Sequence, residues 1–305
     1  DAASADAASV DGGPEDGGPE DAGFEDVAVD DVAIDVPVSS EVNVELTLAG
    51  DGVGGTNTLV RSGESLGCSA GDGTCNATLM APAELEAIPP PWADFDGWVG
   101  GPCDGSTDRV CTIETGGDLE VEARFSRKAN IAFVTEEQQN AGFGGVAAAN
   151  ARCVAAAEAA NLPGTFVAFL ATGDEDDAFA AIDTEGGWVD TRGNTIAEDI
   201  DVLRAGEMKH PIRFSEFRNE LSSNLVYTGA STADVAPMNE CDNWTNGEFD
   251  GGSATGGNLM HTGHGWRSGN SARCTVLAHF YCFGTELDRT PASAPEPAHV
   301  GFLSS

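Results

Sequence analysis

The chain has 305 residues, room for two domains at the usual ~100–200 residues each. Its formal net charge is -37, from 51 acidic against 14 basic residues. That balance repels DNA, RNA, anionic membrane surfaces and sulfated glycans, while a cationic partner or a divalent cation stays compatible with it.

Residues 1–40 are low-complexity and acidic. "GGPEDGGPED" is a tandem five-residue unit, followed by "EDVAVDDVAIDVPV", and Phe24 is the only aromatic before Arg61. Such a segment buries too little apolar surface to offset chain entropy, and its like charges extend it, so a disordered stalk is expected. Residues 41–126 read as an all-β module. In "VNVELTL", Val42, Val44, Leu46 and Leu48 alternate with polar positions, the pattern of a half-buried strand, and "DLEVEARF" repeats it with Leu119, Val121, Ala123 and Phe125. Between them lie Gly-rich turns and two close cysteine pairs. The local pairing, Cys68–Cys75 and Cys103–Cys111, gives hairpin staples suited to a module too small to rely on its core.

Residues 129–284 read as a second domain. "NIAFVT" predicts a strand, and the alanine-dense "GGVAAANARCVAAAEAANLPG" predicts a helix ended near Asn161 by Pro163 and Gly164. Val146, Ala149, Cys153, Ala156 and Ala157 share one face of it at helical spacing, so Cys153 points inward. "TFVAFLAT" predicts a strand, and "GDEDDAF" a charged loop. "TIAEDIDVLRAGE" predicts a helix opening on a capping box, Thr195 with Glu198. Strands follow at "LVYTG" and "CTVLAHFYCFG", and the Pro-rich residues 285–305 are expected to form a loose tail. Read as one strand, the last of these runs puts Cys274 and Cys282 on one face about 25 Å apart, too far to bond each other. Each needs a partner from elsewhere, and Cys153 and Cys241 supply two pairings.

Eight cysteines, an even number, predict four disulfides and an oxidising compartment. Structural zinc would use C-x₂₋₄-C pairs, and no two cysteines here lie closer than seven positions apart. No apolar run approaches the ~20 residues that span a bilayer. The sequence starts at Asp1 rather than Met, the form expected of an exported protein whose signal peptide has been removed. An extracellular or outer cell-surface location is therefore expected, and a stalk of this kind suits a lipid anchor upstream of residue 1.

Two resemblances extend this reading. In the β module, Phe95, Gly97, Trp98, Gly100 and Cys103 follow the F-x-G-W-x-G-x-C pattern of the internalin-type B-repeat family, with one extra residue before the cysteine. That family implies a bacterial surface spacer or adhesive unit, and Trp98 is expected to be a packed core residue. In the second domain, Ala149, Cys153, Ala157, Ala159, Leu162, Gly164, Thr165, Phe166, Ala168, Phe169 and Leu170 resemble endostatin-like domains. So do Val226, Gly229, Cys241, Trp244, Ala254, Thr255, Gly256, Cys274 and Cys282. The resemblance implies an α+β, C-type-lectin-like fold within an exported bacterial protein, and selects Cys153–Cys282 and Cys241–Cys274 as bridges. It does not carry over heparin binding, because Val167 stands where the family has arginine and the domain is acidic. Nor does it carry over the family's zinc histidines or the calcium tripeptides of sugar-binding C-type lectins.

Nothing in the sequence points to catalysis. There is no G-x-S-x-G or H-E-x-x-H, and four bridges leave no free thiol. His261 and His264 in "HTGHGW" could join Asp242 or Asp250 in a metal site, but no third ligand is fixed, and no cofactor is expected. The loop 241–270 is the expected recognition face. Trp244, Asn246, His261, His264 and Trp266 lie among small polar residues there; Trp266 is expected to be exposed, while Trp244, at a position the resemblance matches, has a core role equally open to it. A non-catalytic surface protein that binds a protein or glycan is the leading expectation. A metal-dependent hydrolase on the same loops and a purely architectural role are the alternatives.

Overall fold

A computed structural model describes residues 39–55, 58–63, 66–172, 175–222, 225–230 and 240–292. The expected stalk lies outside the described residues up to position 38. The first eight strands are β1 (Ser40–Ala49), β2 (Thr58–Ser62), β3 (Leu66–Ser69), β4 (Thr74–Ala81), β5 (Ala83–Ala87), β6 (Ala93–Val99), β7 (Val110–Ile113) and β8 (Gly117–Arg127). They form two four-stranded sheets, β4-β1-β8-β6 and β3-β2-β5-β7. The alternation in β1 does what the period predicts: Val42, Val44, Leu46 and Leu48 are buried while Glu41, Asn43 and Glu45 face water. These residues meet Leu85, Trp98, Ile113, Val121 and Phe125 in one core. Trp98 is 1% exposed and donates its indole N–H to the Asp108 carbonyl at 2.8 Å, so it is a core residue here.

The next elements are β9 (Asn130–Val134), α1 (Val146–Ala159), β10 (Phe166–Ala168), α2 (Glu175–Ala181), β11 (Trp188–Asp190), β12 (Thr195–Ala197), α3 (Ile200–Ala205) and β13 (Leu225–Tyr227). They are followed by β14 (Ser253–Asn258), the short helix α4 (Gly265–Ser268), β15 (Asn270–Arg273) and β16 (His279–Gly284). One sheet runs β12-β11-β9-β16-β13-β14-β15, with β10 also pairing β16. Every residue of β16 is buried, as a strand flanked on both sides must be. On its two faces lie separate apolar clusters, one around α1, Phe133 and Trp244, the other around Phe169, Trp188 and Trp266. The result is a mixed α+β fold.

All four disulfides are present: Cys68–Cys75, Cys103–Cys111, Cys153–Cys282 and Cys241–Cys274. The last two tie α1 to β16 and the loop after residue 240 to the end of β15. Such bridges suit an oxidising compartment. No helix among the described residues is long and apolar enough to cross a membrane.

Four expectations are corrected. The capping-box helix from Thr195 starts later, because Thr195–Ala197 is recruited into an edge strand against β11. Asp199 becomes the N-cap, its carboxylate accepting from Val202 N, and Gly206 closes the helix in the left-handed region. "GDEDDAF" contributes to α2, because Ala178, Phe179 and Ile182 have a core to enter. The run Cys274–Gly284 is not one strand, since a turn closed by Val276 N to Arg273 O divides it. Finally, the expected tail 285–305 is described only as far as residue 292, and its first part is held rather than loose, residues 293–305 lying outside the described residues. Leu287 exchanges two hydrogen bonds with the Asn130 side chain, at 2.7 and 3.0 Å, and Arg289 donates to the Arg127 carbonyl at 2.7 Å.

The same region joins the β1–β8 sheets to the rest. The Arg127 side chain is 3% exposed, pairs with Glu286, and donates to the Pro163 carbonyl at 3.1 Å. Trp92 and Ala93 lie in the same buried cluster as Ala157, Ala160 and Leu162. The described residues from 39 onward form one compact unit.

Candidate functional site

The loop after residue 240 opens on an unusual backbone. Glu240, Cys241, Asp242, Asn243 and Trp244 all have positive φ, between 45° and 67°, so together they form a left-handed turn. For residues other than glycine this costs roughly 1–2 kcal/mol each, and three anchors hold it. Cys241 is bridged to Cys274. The fully buried Glu240 carboxylate accepts from Thr255 N at 2.9 Å and Thr255 Oγ1 at 3.1 Å. Trp244 is also fully buried, donates its indole N–H to the Ala171 carbonyl at 2.9 Å, and stacks on Phe143.

The pinned turn leaves Asp242, Asn243, Thr245, Glu248, Phe249 and Asp250 exposed. Asn246 is half-buried and braces the loop internally, donating to the Asp242 carboxylate at 3.0 Å and accepting from Glu248 N at 2.9 Å. Phe249 is 73% exposed, and the Arg273 guanidinium sits 4.7 Å from its ring centroid. Just beyond Arg273 come Val276 and Leu277, which are 39% and 58% exposed. One end of the β14–β15 hairpin thus presents an aromatic ring, a cation and two aliphatic side chains, framed by carboxylates.

The other end holds the histidine pair. His261 and His264 are both exposed, before and at the start of α4. The His261 ring lies against Gly265, where any Cβ would clash with Nδ1. His264 Nδ1 accepts from Arg267 at 3.1 Å. No third metal ligand converges on them among the described residues. The one triplet there within ligating range is Cys68, Asp72 and Cys75; its sulfurs form a disulfide and Asp72 accepts from Ser69 N and Oγ.

Trp266 corrects the expectation of exposure. It is fully buried, donates to the Leu203 carbonyl at 3.3 Å, and packs on Phe169, Phe179 and Tyr281. Its backbone carbonyl lies so close to Gly257 that a Cβ there would collide with it. Of the five expected recognition residues, the two tryptophans are therefore core, Asn246 is a brace, and the histidines lie away from the exposed apolar cluster. The exposed Phe249, Arg273, Val276 and Leu277 are not singled out by the sequence. A lone Phe in the acidic, Gly-rich "NGEFDGG" was the available signal.

No protein-family model matches the chain, and no curated protein matches it.

Proposed function

We propose that this chain is a non-catalytic, exported surface protein that binds an extracellular protein or glycan through the face formed by Phe249, Arg273, Val276 and Leu277. The observation that carries this reading is an exposed aromatic, Phe249, with an arginine over its ring on a loop fixed by a disulfide and a buried carboxylate. Aromatic and arginine side chains concentrate binding energy, and a rigid support lowers the entropy lost on association. The frame suits a C-type-lectin-like, endostatin-like domain: a helix cysteine bridged to the last strand, and a second bridge across the loops. The β1–β8 sheets then serve as a spacer of the bacterial B-repeat kind, and disulfide usage supports a location outside the reducing cytosol.

The test is binding of the purified chain to arrays of extracellular proteins and glycans, beside the Phe249→Ala/Leu277→Ser double variant. The expected result is saturable binding of at least one component, weakened tenfold or more in the variant with an unchanged melting temperature. Binding that survives the double substitution at full strength would reassign the face. Turnover of an arrayed component would replace the reading with an enzyme.

A further inference from the structure

The two sheets built from β1–β8 end in four edge strands, β4 and β6 on one and β3 and β7 on the other. These edges are not alike. β3 and β7 are four residues long, too short to template another strand. β6 carries Asp94 and Asp96, and its register against β8 shifts between Phe95 and Gly97. Charge and a bulge of this kind keep an edge from pairing with another chain. In the larger sheet the edge strands β12 and β15 have three and four residues, and β10, which pairs only β16, has three.

β4 has none of these protections. Its eight residues, "TCNATLMA", include no charged side chain and no proline, and its register against β1 runs unbroken from Ser40 with Ala81 to Thr47 with Thr74. No other backbone hydrogen bond among the described residues involves Thr74–Ala81. Core packing is also incomplete at this edge. Leu79 and Ala81 are buried, whereas Cys75 and Ala77, on the same inward face, stay half-exposed. On the outward face Thr74, Asn76, Thr78 and Met80 are exposed, Met80 at 53%. A strand laid along β4 would cover Cys75 and Ala77 and take up its outward-pointing N–H and C=O groups.

We propose that the occupant is β4 of a second copy of this chain, joined antiparallel about a two-fold axis. Residues directly opposite each other in such a pair lie on the same face, so their two positions are both odd or both even. An axis through Ala77 meets this rule. It sets Asn76 opposite Thr78 of the second copy, Cys75 opposite Leu79, and Thr74 opposite Met80. Thr78 Oγ1 donates to Asn43 Oδ1 at 2.9 Å, so its oxygen is left to accept from the Asn76 amide across the seam. The contact is isologous, each pair occurring twice. Charge selects this edge for self-association. The neighbouring strands β1 and β8 carry Glu41, Glu45, Asp118, Glu120 and Glu122, and two chains of -37 each repel. Along β4 they meet without setting carboxylate against carboxylate. A basic segment from elsewhere finds no acid on β4 to pair with. No residue of β4 belongs to the Phe249 face, so either assignment can fail alone.

The test is sedimentation of the full chain over a range of concentrations, at about 0.05 M and about 0.5 M salt. The pairing is small, so a reversible monomer–dimer equilibrium is expected rather than a permanent dimer. Screening relieves the repulsion between the chains, so the dimer should be tighter at the higher salt. Asn76→Lys/Thr78→Lys sets ammonium groups directly opposite each other across the seam. Within one chain Asn76 lies opposite Glu45, so a lysine there has an acid beside it. The double variant should dimerise at least tenfold more weakly while its melting temperature holds. Independently of any variant, amide hydrogen exchange in Thr74–Ala81 of the wild type should slow as concentration rises, and exchange in β6 should not. A monomer at every concentration would overturn the proposal and leave the edge to a strand of another protein. So would a dimer of full strength in the double variant, or one whose β4 amides exchange as fast as the monomer's.

Discussion

His279 shows what a single residue does under full burial. Its Nδ1 lies 2.6 Å from the Thr135 carbonyl, an acceptor only, so Nδ1 carries the proton and donates. Nε2 is then the acceptor, and the Gln138 side-chain amide donates to it at 3.0 Å. Both contacts fit the neutral ring, and burial, the largest influence, lowers its pKa below the ordinary 6.5. The unfolded chain therefore binds a proton that the folded chain resists, and stability rises with pH across the interval below 6.5. The contribution is complete above that value and is lost as pH falls toward the folded pKa. Glu216 runs the other way: its raised pKa means the folded form holds a proton longer, so its contribution is greatest at low pH and fades as pH rises through the folded value. Between pH 7.5 and 5 the two act in opposite senses, so the test is the difference between proteins: the melting temperature of His279→Gln relative to wild type should rise as pH falls. Parallel curves for the two proteins would remove His279 as the cause.

At the scale of elements, most of what was legible came from period and from cysteine spacing. The alternation in β1 and β8 and the alanine-rich face of α1 are each written in one continuous segment, and each formed where expected, with Asn161 closing α1 at φ 51°. The Thr195 region was misread because its capping signals are local, whereas pairing with β11 depends on residues brought up by the fold. Trp266 was misread for a related reason. A Gly-rich loop reads as surface, and nothing nearby in sequence announces Phe169 and Tyr281 waiting for the indole. The exposed face around Phe249 depends on a left-handed turn that no residue type in "ECDNW" requires. The disulfides differ in what they hold. Cys153–Cys282 spans a sequence separation of 129 and Cys68–Cys75 one of 7. On the chain-entropy relation these contribute about 5 and about 2.5 kcal/mol. Replacing Cys153 and Cys282 by alanine should therefore lower the denaturant midpoint about twice as much as replacing Cys68 and Cys75. Equal losses would show that loop entropy is not the controlling quantity.

At the scale of the whole molecule, Arg127 joins the β1–β8 sheets to the larger sheet. Its guanidinium is nearly enclosed, while the Glu286 side chain keeps 39% of its surface. Removing one member of a fully buried pair costs about 3–5 kcal/mol, and the water still reaching Glu286 reduces that to about 2–3 here. Because Trp92 and Ala93 share a cluster with residues of α1, the described parts should unfold in one calorimetric transition. Arg127→Ala should lower the melting temperature and separate that transition into two. A wild-type scan already showing two well-spaced peaks would mean the seam is too weak to couple them.

The parallel pairing of β1 with β8 has a mechanical consequence. Partners run from Val42 with Gly117 to Ala49 with Arg124. The chain enters at the start of β1 and leaves at the end of β8, which lie at opposite ends of this ladder. Tension pulling residue 39 away from residue 127 therefore slides the two strands along each other. Every hydrogen bond between them shares the load, rather than parting in turn from one end. A module wired this way resists pulling along its length through its unfolding rate rather than its equilibrium stability.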